Sequence, residues 1–219
     1  WLVYNRNSER KVKMKLEKLE EAIGHTFRNK ELLKIAMTHA SYANEYNCES
    51  NEKLEFLGDS ILEYVSSDYI YQKYPKLKEG EMTKVRATVV CENCLHKIAQ
   101  RLNFSDFLQV GKSERLNHGN TRPAVMADSV EAVIAAIYFD GGLEKAREFI
   151  ISILKDEIEV ATHEVGMKDY KTVLQEMLQA HGDVKIEYVL KKTEGPDHNK
   201  TFYTEMRCNG ETLADGVGK

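Results

Sequence analysis

The spacing of apolar residues changes once along the chain, and this change limits the folds that the sequence can adopt. Up to about Thr162, apolar residues recur every three or four positions, and the only prolines are Pro75 and Pro123. This spacing predicts a series of amphipathic helices. We expect the helices at Lys11 to Ile23, Lys30 to Met37, Asn51 to Tyr74, Glu81 to Leu102, Arg122 to Tyr138 and Leu143 to Ala161.

Beyond Thr162 the pattern is that of one helix followed by strands. Asn209 and Gly210 both tolerate positive φ, which predicts a hairpin turn. The fold class is therefore multidomain: an all-α domain at residues 1–162, a linker at 163–168, and a small α+β domain (α-β-β-β) at 169–219. We expect its helix at Tyr170 to Ala180 and its strands at Lys185 to Leu190, Thr201 to Cys208 and Glu211 to Ala214.

Composition excludes some classes of protein. No run approaches the roughly 18 apolar residues that span a bilayer, and the first residues do not resemble a signal peptide, so we expect a cytoplasmic protein without a membrane partner. The net charge of −4 argues weakly against a nucleic-acid binder, unless the acids are concentrated in a metal site.

Cys91 and Cys94 have the spacing of half a zinc site, but no second half follows. We interpret them as reduced thiols on a helix.

Three acids share one side of a predicted helix. Glu52, Glu55 and Asp59 lie at positions i, i+3 and i+7, next to an apolar stripe. Like charges in one row repel, and partial burial increases the penalty, which a divalent cation would remove. Gly58 costs about 1 kcal/mol in a helix relative to Ala, and we explain it by close approach of another backbone. The stripe consists of Leu54, Leu57, Ile61 and Val65.

A second acidic pair, Asp128 and Glu131, is predicted on another apolar helix, with Ala132 and Ala135 beside it. These small residues would allow the two acidic helices to approach closely. Four carboxylates from facing helices would form an all-oxygen site suited to Mg²⁺ or Mn²⁺. The alternative is that both rows are solvated helix faces. Spacing alone indicates a metal-carboxylate enzyme and nothing more specific.

Four motifs in this order resemble those of the ribonuclease III family. The stretch from Glu52 to Ser60 (EKLEFLGDS) resembles the family signature, although Lys53 stands where Arg is usual. The resemblance covers about residues 16–158. The other three motifs are Ala36 to Tyr42, Glu79-Gly80 followed by Met82 to Ala87, and Ala127 to Ala132.

The resemblance implies a homodimeric endonuclease that cuts double-stranded RNA by metal-activated water. It implies that Glu55, Asp59, Asp128 and Glu131 ligate Mg²⁺, with Mn²⁺ as a substitute, and that loss of Asp59 or Glu131 is worst for chemistry. The products would carry a 5′-phosphate and a 3′-hydroxyl with two-nucleotide 3′ overhangs, as in rRNA and mRNA processing. Supporting roles are implied for the acids Glu52 and Glu79. Phe56 is implied in dimer formation, and the alternative is that Phe56 is an ordinary core residue.

The C-terminal segment resembles a double-stranded-RNA-binding domain that lacks its last helix. Such domains read A-form shape and 2′-hydroxyls. The resemblance implies RNA contacts by Gln175 and Glu176 on the first helix and by Pro196 and His198 in a loop. The lysine-rich second helix of the family is absent from the sequence, so we expect weakened phosphate binding. Two alternatives to the endonuclease remain: a catalytically silent binder of structured RNA, and a metal phosphohydrolase of small nucleotides.

Overall fold

The computed structural model describes residues 16–168, 174, 177–178, 184–196 and 200–218. The chain divides into two compact units, Trp1–Val165 and Gly166–Lys219. The first is helical, and the second contains an antiparallel sheet. Both were predicted from the apolar spacing. No helix in the described ranges is long and apolar enough to cross a bilayer.

Helices in the first unit follow the predicted order. The first of them, α1, occupies residues 16–23, and the earlier part of that prediction lies outside the described residues. Pro123 stands at the first position of α8, where its missing N–H costs nothing. The remaining helices are α2 (Lys30–Ala36), α3 (Ala40–Tyr46), α4 (Glu52–Lys73), α5 (Glu79–Val89), α6 (Glu92–Arg101), α7 (Lys112–Leu116), α8 (Pro123–Gly141) and α9 (Leu143–Lys168).

Two parts of the helical prediction were wrong. The predicted helix from Glu81 to Leu102 is two helices, because Cys91 is extended and caps α6. Apolar spacing continues across this junction without Gly or Pro, so the sequence shows no break there. Cys91 therefore precedes the helix, and only Cys94 lies on it. The short helices α3 and α7 were missed because α3 buries only Ala43 and α7 buries no residue, so neither has an apolar stripe to detect.

The centre of the first unit is α8, which other helices surround. Most of its residues are buried, including Val130, Val133, Ile134 and Ile137, each with 0% exposure. A helix that is apolar on nearly all sides is expected in a core. It packs against α4, α6 and α2. The two predicted acidic helices, α4 and α8, are therefore direct neighbours.

The sheet of the second unit has the order β1-β2-β3, with β1 at Ile186–Glu194, β2 at Thr201–Cys208 and β3 at Glu211–Gly218. Both pairings are antiparallel. Asn209 and Gly210 adopt φ angles of 50° and 91° between β2 and β3, which confirms the predicted turn. Strands β1 and β3 extend further than the alternation predicted, since they pair along almost all of β2. The predicted helix from Tyr170 to Ala180 falls mostly outside the described residues.

Candidate metal centre

The acids of α4 differ in their exposure. Glu55 is half-buried, whereas Glu52 and Asp59 are exposed. The predicted stripe beside them packs into the core at Leu54 and Ile61, each 8% exposed. The side of α4 that carries the acids therefore borders the core, as the spacing predicted.

The acids of α8 emerge from a helix that is otherwise buried. Asp128 and Glu131 are both half-buried. Ala127, Ala132 and Ala135 beside them are 4%, 0% and 0% exposed. Methyl side chains at these positions leave room for a neighbouring helix, which is the role that the sequence predicted for Ala132 and Ala135.

Gly58 is the point where the backbones of α4 and α8 meet. A Cβ atom built on Gly58 would overlap the carbonyl oxygen and carbon of Glu131. No rotamer change relieves a clash with backbone atoms, so only glycine fits here. This confirms the predicted close approach and explains how Glu55 and Glu131 come to face each other.

Three of the four predicted ligands converge. One carboxylate oxygen from each of Glu55, Asp128 and Glu131 lies within 4.8 Å of the others. Asp59 does not belong to this group; it lies one helical turn beyond Glu55 on α4 and is exposed. Among the described residues, no Cys or His joins a group with metal-binding geometry.

Burial and neighbouring acids disfavour the charged forms of Glu131 and Glu55. Burial, followed by the charges of Asp59, Asp128 and Glu55, raises the pKa of Glu131 to about 8. Burial also raises the pKa of Glu55, with further contributions from Asp128, Glu52 and Asp59. A shared cation would compensate for this repulsion, and an all-carboxylate set of oxygen ligands fits Mg²⁺ or Mn²⁺.

His39 lies close enough to Asp128 to affect the pKa of that carboxyl. Burial raises the pKa of Asp128, and the charge of His39 opposes that shift. His39 caps α3, and its Nδ1 accepts a hydrogen bond from the Ser41 amide at 3.2 Å. This cap position indicates a structural role for His39.

The supporting acids lie outside the cluster. Glu52 accepts a hydrogen bond from the Ser50 hydroxyl at 2.8 Å. Glu79 is the first residue of α5 and accepts one from the Thr83 hydroxyl at 3.2 Å. Glu79 also lines a groove of about 520 Å³ between α4 and α5. The structure therefore does not bring Glu79 together with the three convergent carboxylates.

Phe56 is 79% exposed in the single chain, so the alternative of a core phenylalanine was wrong. Sequence reasoning missed the apolar groove between α4 and α5, whose lining includes Tyr64, Tyr71 and Met82. Tyr64 and Tyr71 are seven residues apart on α4, a helical spacing that could have indicated them. Both are exposed, at 54% and 71%.

Of the predicted RNA contacts, only Pro196 lies among the described residues, where it is exposed after β1. Gln175, Glu176 and His198 lie outside the described residues. Their roles stay predictions.

The helical unit with its carboxylate cluster fits the class of metal-binding helical enzyme domains, and a separate unit with an antiparallel sheet follows it. Comparison with known proteins gives the family. Residues 29–157 match the family model described as ribonuclease-III-like, and residues 170–219 match the double-stranded RNA binding motif.

Relatives and solved structures agree with these matches. The chain is 46% identical to Ribonuclease 3 of Clostridium perfringens over 93% of its own length and 86% of that protein. It is 44% identical to Ribonuclease 3 of Listeria monocytogenes over 93% of its length and 90% of that protein. A structure of the ribonuclease III nuclease domain from Campylobacter jejuni is 37% identical, with a TM-score of 0.61, and covers 65% of this chain and 97% of its own.

The chain belongs to the ribonuclease III family, the metal-dependent endoribonucleases of double-stranded RNA. The resemblance found in the four motifs is therefore confirmed. So is the fold class of a helical nuclease domain followed by a double-stranded-RNA-binding region.

Proposed function

We propose that this chain cleaves double-stranded RNA at the carboxylate cluster of α4 and α8, with Mg²⁺ as its ion and Mn²⁺ as a substitute. The observation that carries the proposal is the convergence of Glu55, Asp128 and Glu131 within 4.8 Å. When bound, the ion would activate water and stabilise charge at phosphorus. The proposed products carry a 5′-phosphate and a 3′-hydroxyl.

The residues of the cluster have different proposed tasks. Glu55, Asp128 and Glu131 each offer one oxygen to the ion. Asp59 is exposed one turn further along α4, where its carboxylate can bind the ion directly or through water at the solvent-facing side. The raised pKa of Glu131 supports a cation nearby, because a cation would stabilise the charged form. The exposed Glu52 and Glu79 are proposed to assist RNA or metal binding from the periphery.

RNA binding by the second unit is part of the proposal. The match of residues 170–219 to the double-stranded RNA binding motif supports contacts by Gln175, Glu176, Pro196 and His198. We retain the domain boundaries 1–162, 163–168 and 169–219 as proposed. A cytoplasmic location and a role in rRNA and mRNA processing follow from the family resemblance and belong to the same proposal.

A homodimer is proposed from the surface of α4. Phe56 is 79% exposed, and an apolar groove of about 520 Å³ lies further along the same helix. In a two-fold dimer, Phe56 of each chain could enter an apolar site on the other, since isologous contacts are reciprocal. In the nuclease domain from Campylobacter jejuni, a region with structural flexibility is involved in dimer formation. Two sites would then cut opposite strands and leave two-nucleotide 3′ overhangs.

Cleavage of a long duplex RNA, with and without Mg²⁺, tests the activity. The parent protein is expected to cleave only with the divalent ion, and Asp59→Asn is expected to lose most of that activity. Asp156→Asn, an exposed acid on α9, is the control and should cleave like the parent. An intact duplex beside hydrolysed nucleotides would contradict the proposal and favour a small-nucleotide phosphohydrolase. RNA binding without cleavage would favour a silent binder.

Sedimentation at micromolar concentration tests the dimer. The parent is expected to sediment as a dimer and Phe56→Ala as a weaker dimer or a monomer. Leu116→Ala removes another exposed apolar side chain, 83% exposed on α7, and should leave the dimer intact. A monomeric parent would refute the dimer without affecting the proposed metal site.

A further inference from the structure

The motif from Ala36 to Tyr42 identified in the sequence has no part in the proposed chemistry, yet it lies at a junction between three segments. The Met37 carbonyl accepts a hydrogen bond from the Gln109 amide at 2.8 Å, and the Gln109 carbonyl accepts one from the His39 amide at 3.0 Å. The Thr38 carbonyl accepts one from the Asn51 amide at 2.8 Å. We call residues 37–41 the 37–41 junction.

Two side chains of α3 extend this junction to the segment that follows Gln109. The Ser41 hydroxyl accepts a hydrogen bond from the Gly111 amide at 2.9 Å. Glu45 Oε1 accepts one from the Lys112 amide at 2.8 Å. A Cβ on Gly111 would lie 2.5 Å from Glu45 Oε1 and 2.9 Å from the Ser41 carbonyl. The segment therefore fits against α3 only with glycine at this position.

One segment held at the junction leads directly into α4, and the other reaches α8 after α7 and a 3-10 helix at Gly119–Thr121. Asn51 is the residue before α4 and is 2% exposed. The segment from Gly111 ends at Arg122, and α8 begins at the next residue. Arg122 forms an ion pair with Glu114 in the same segment. The entry of α4 and the entry of α8 are thus both tied to residues 37–45.

We propose that Ser41 and Glu45 are positioning residues that set the separation between the carboxylates of α4 and those of α8. This inference rests on the proposed metal site. Neither side chain touches the cluster. Glu45 acts through the backbone of residue 112, whereas Ser41 acts through the backbone of residue 111 and also lies 2.8 Å from His39 Nδ1. If their hydrogen bonds are lost, the segment before α8 is released from α3, while α4 stays tied to Thr38. The arrangement in which the carboxylates of α4 and α8 can share an ion is then less populated, so the affinity for the ion falls.

The test measures Mn²⁺ binding by electron paramagnetic resonance without RNA. Loss of one hydrogen bond corresponds to about a two- to tenfold change in an equilibrium, so Glu45→Ala should weaken Mn²⁺ binding about two- to tenfold, and Ser41→Ala similarly. Glu45→Gln keeps an oxygen acceptor and should bind within about twofold of the parent. Asn44→Ala, an exposed position on the same helix, is the control.

Cleavage at saturating RNA should show the same order, with a higher Mg²⁺ midpoint for Glu45→Ala and an unchanged KM for RNA. Thermal unfolding identifies any variant that fails to fold, and the pair Glu45→Ala and Glu45→Gln then decides the question. Equal Mn²⁺ binding by parent and Glu45→Ala, or a change in the KM for RNA alone, would overturn this inference and leave the proposed function intact. A parent protein that binds no Mn²⁺ would overturn both.

Discussion

The nuclease unit and the C-terminal sheet each enclose a glutamate, and the surroundings of the two carboxylates are opposite. Glu131 on α8 lies among other acids, and burial followed by their charges raises its pKa to about 8. Glu205 on β2 is 3% exposed, yet hydrogen bonds from neighbouring side chains, that of Lys191 first, lower its pKa to about 2. Burial alone therefore does not decide the charge state of an acid; the available partners decide it.

Among the described residues, the partners of Glu205 come from its own sheet. Lys191 on β1 forms an ion pair with it, Arg207 Nε lies 2.6 Å from its Oε1, and the Thr212 hydroxyl donates to the same oxygen. A buried charge is tolerated when it is paired and hydrogen-bonded. Among the residues described around Glu131 there is no such compensation, so its charged form is disfavoured unless a cation binds there. Glu205 is thus a structural acid, and Glu131 is suited to function.

The largest expected difference between the two glutamates is in cleavage. Glu131→Gln removes a proposed ligand and should lower the rate at saturating RNA by at least about 100-fold, about 2.7 kcal/mol at 1.36 kcal/mol per tenfold. Glu205→Gln should stay within about threefold of the parent, since it lies in the other unit. A single-turnover cleavage assay measures both. If Glu131→Gln retained more than a tenth of the parent rate, the distinction between the two acids would be wrong.

The next largest effect is expected where α4 and α8 meet. Gly58→Ala gains about 1 kcal/mol of helix propensity, but its Cβ would force the two backbones apart, and overpacking costs about 1–3 kcal/mol. We expect net destabilisation in urea together with weaker Mn²⁺ binding. Gly80→Ala, on α5 with nothing within 4 Å of its Cβ, is the control and should be neutral or slightly stabilising. A stabilised Gly58→Ala that still bound Mn²⁺ would contradict the close contact.

Local sequence patterns predicted much of the nuclease unit. A 3.6-residue period was sufficient to place Glu55 and Glu131 on sides of their helices that border the core, and Gly58 indicated the contact between α4 and α8. The pattern placed Asp59 with the others as well, yet the structure leaves it outside the converging group. Side-chain convergence depends on the crossing of two helices, which spacing along one helix does not determine.

Contacts between distant residues could not be predicted in this way. Gly111 meets Ser41 across 70 positions of sequence, and no local pattern connects them. The pairing of Glu205 with Lys191 depends on sheet register, which shifts between Leu190 and Lys192. An irregularity of one residue changes which side chains share a face. The exposure of Phe56 was equally undetermined, because apolar residues occupy both cores and interfaces.

A smaller effect should appear in the stability of the metal-free protein. The pKa of Glu131 rises from 4.5 to about 8 on folding. At a pH between these two values the folded state therefore binds more protons than the unfolded state. The free energy of unfolding consequently falls as pH rises from about 4.5 through 8. With a chelator present, urea unfolding of the parent should therefore become easier from pH 6 to pH 9, and Glu131→Gln should reduce this loss. Asp156→Asn should follow the parent. Equal slopes for the parent and Glu131→Gln would contradict the raised pKa.

The smallest effect is expected at Glu205, and it has the opposite sign. The folded pKa of about 2 lies below the ordinary 4.5, so the contribution of Glu205 to stability is present above pH 4.5 and is lost as pH falls towards 2. Hydrogen exchange of β2 measures this without interference from the nuclease unit. Glu205→Gln should reduce the protection of β2 at pH 7, and the difference from the parent should shrink towards pH 2.

Glu187→Gln is the matched control for this measurement, because Glu187 is a carboxylate of the same sheet that forms a surface ion pair with Lys185 at 2.7 Å. Exposed pairs contribute about 0–1 kcal/mol, so this substitution should change β2 little at any pH. If Glu205→Gln and Glu187→Gln behaved alike, the donors around Glu205 would contribute no more than an exposed pair. The contrast with Glu131 would then rest on the metal cluster alone.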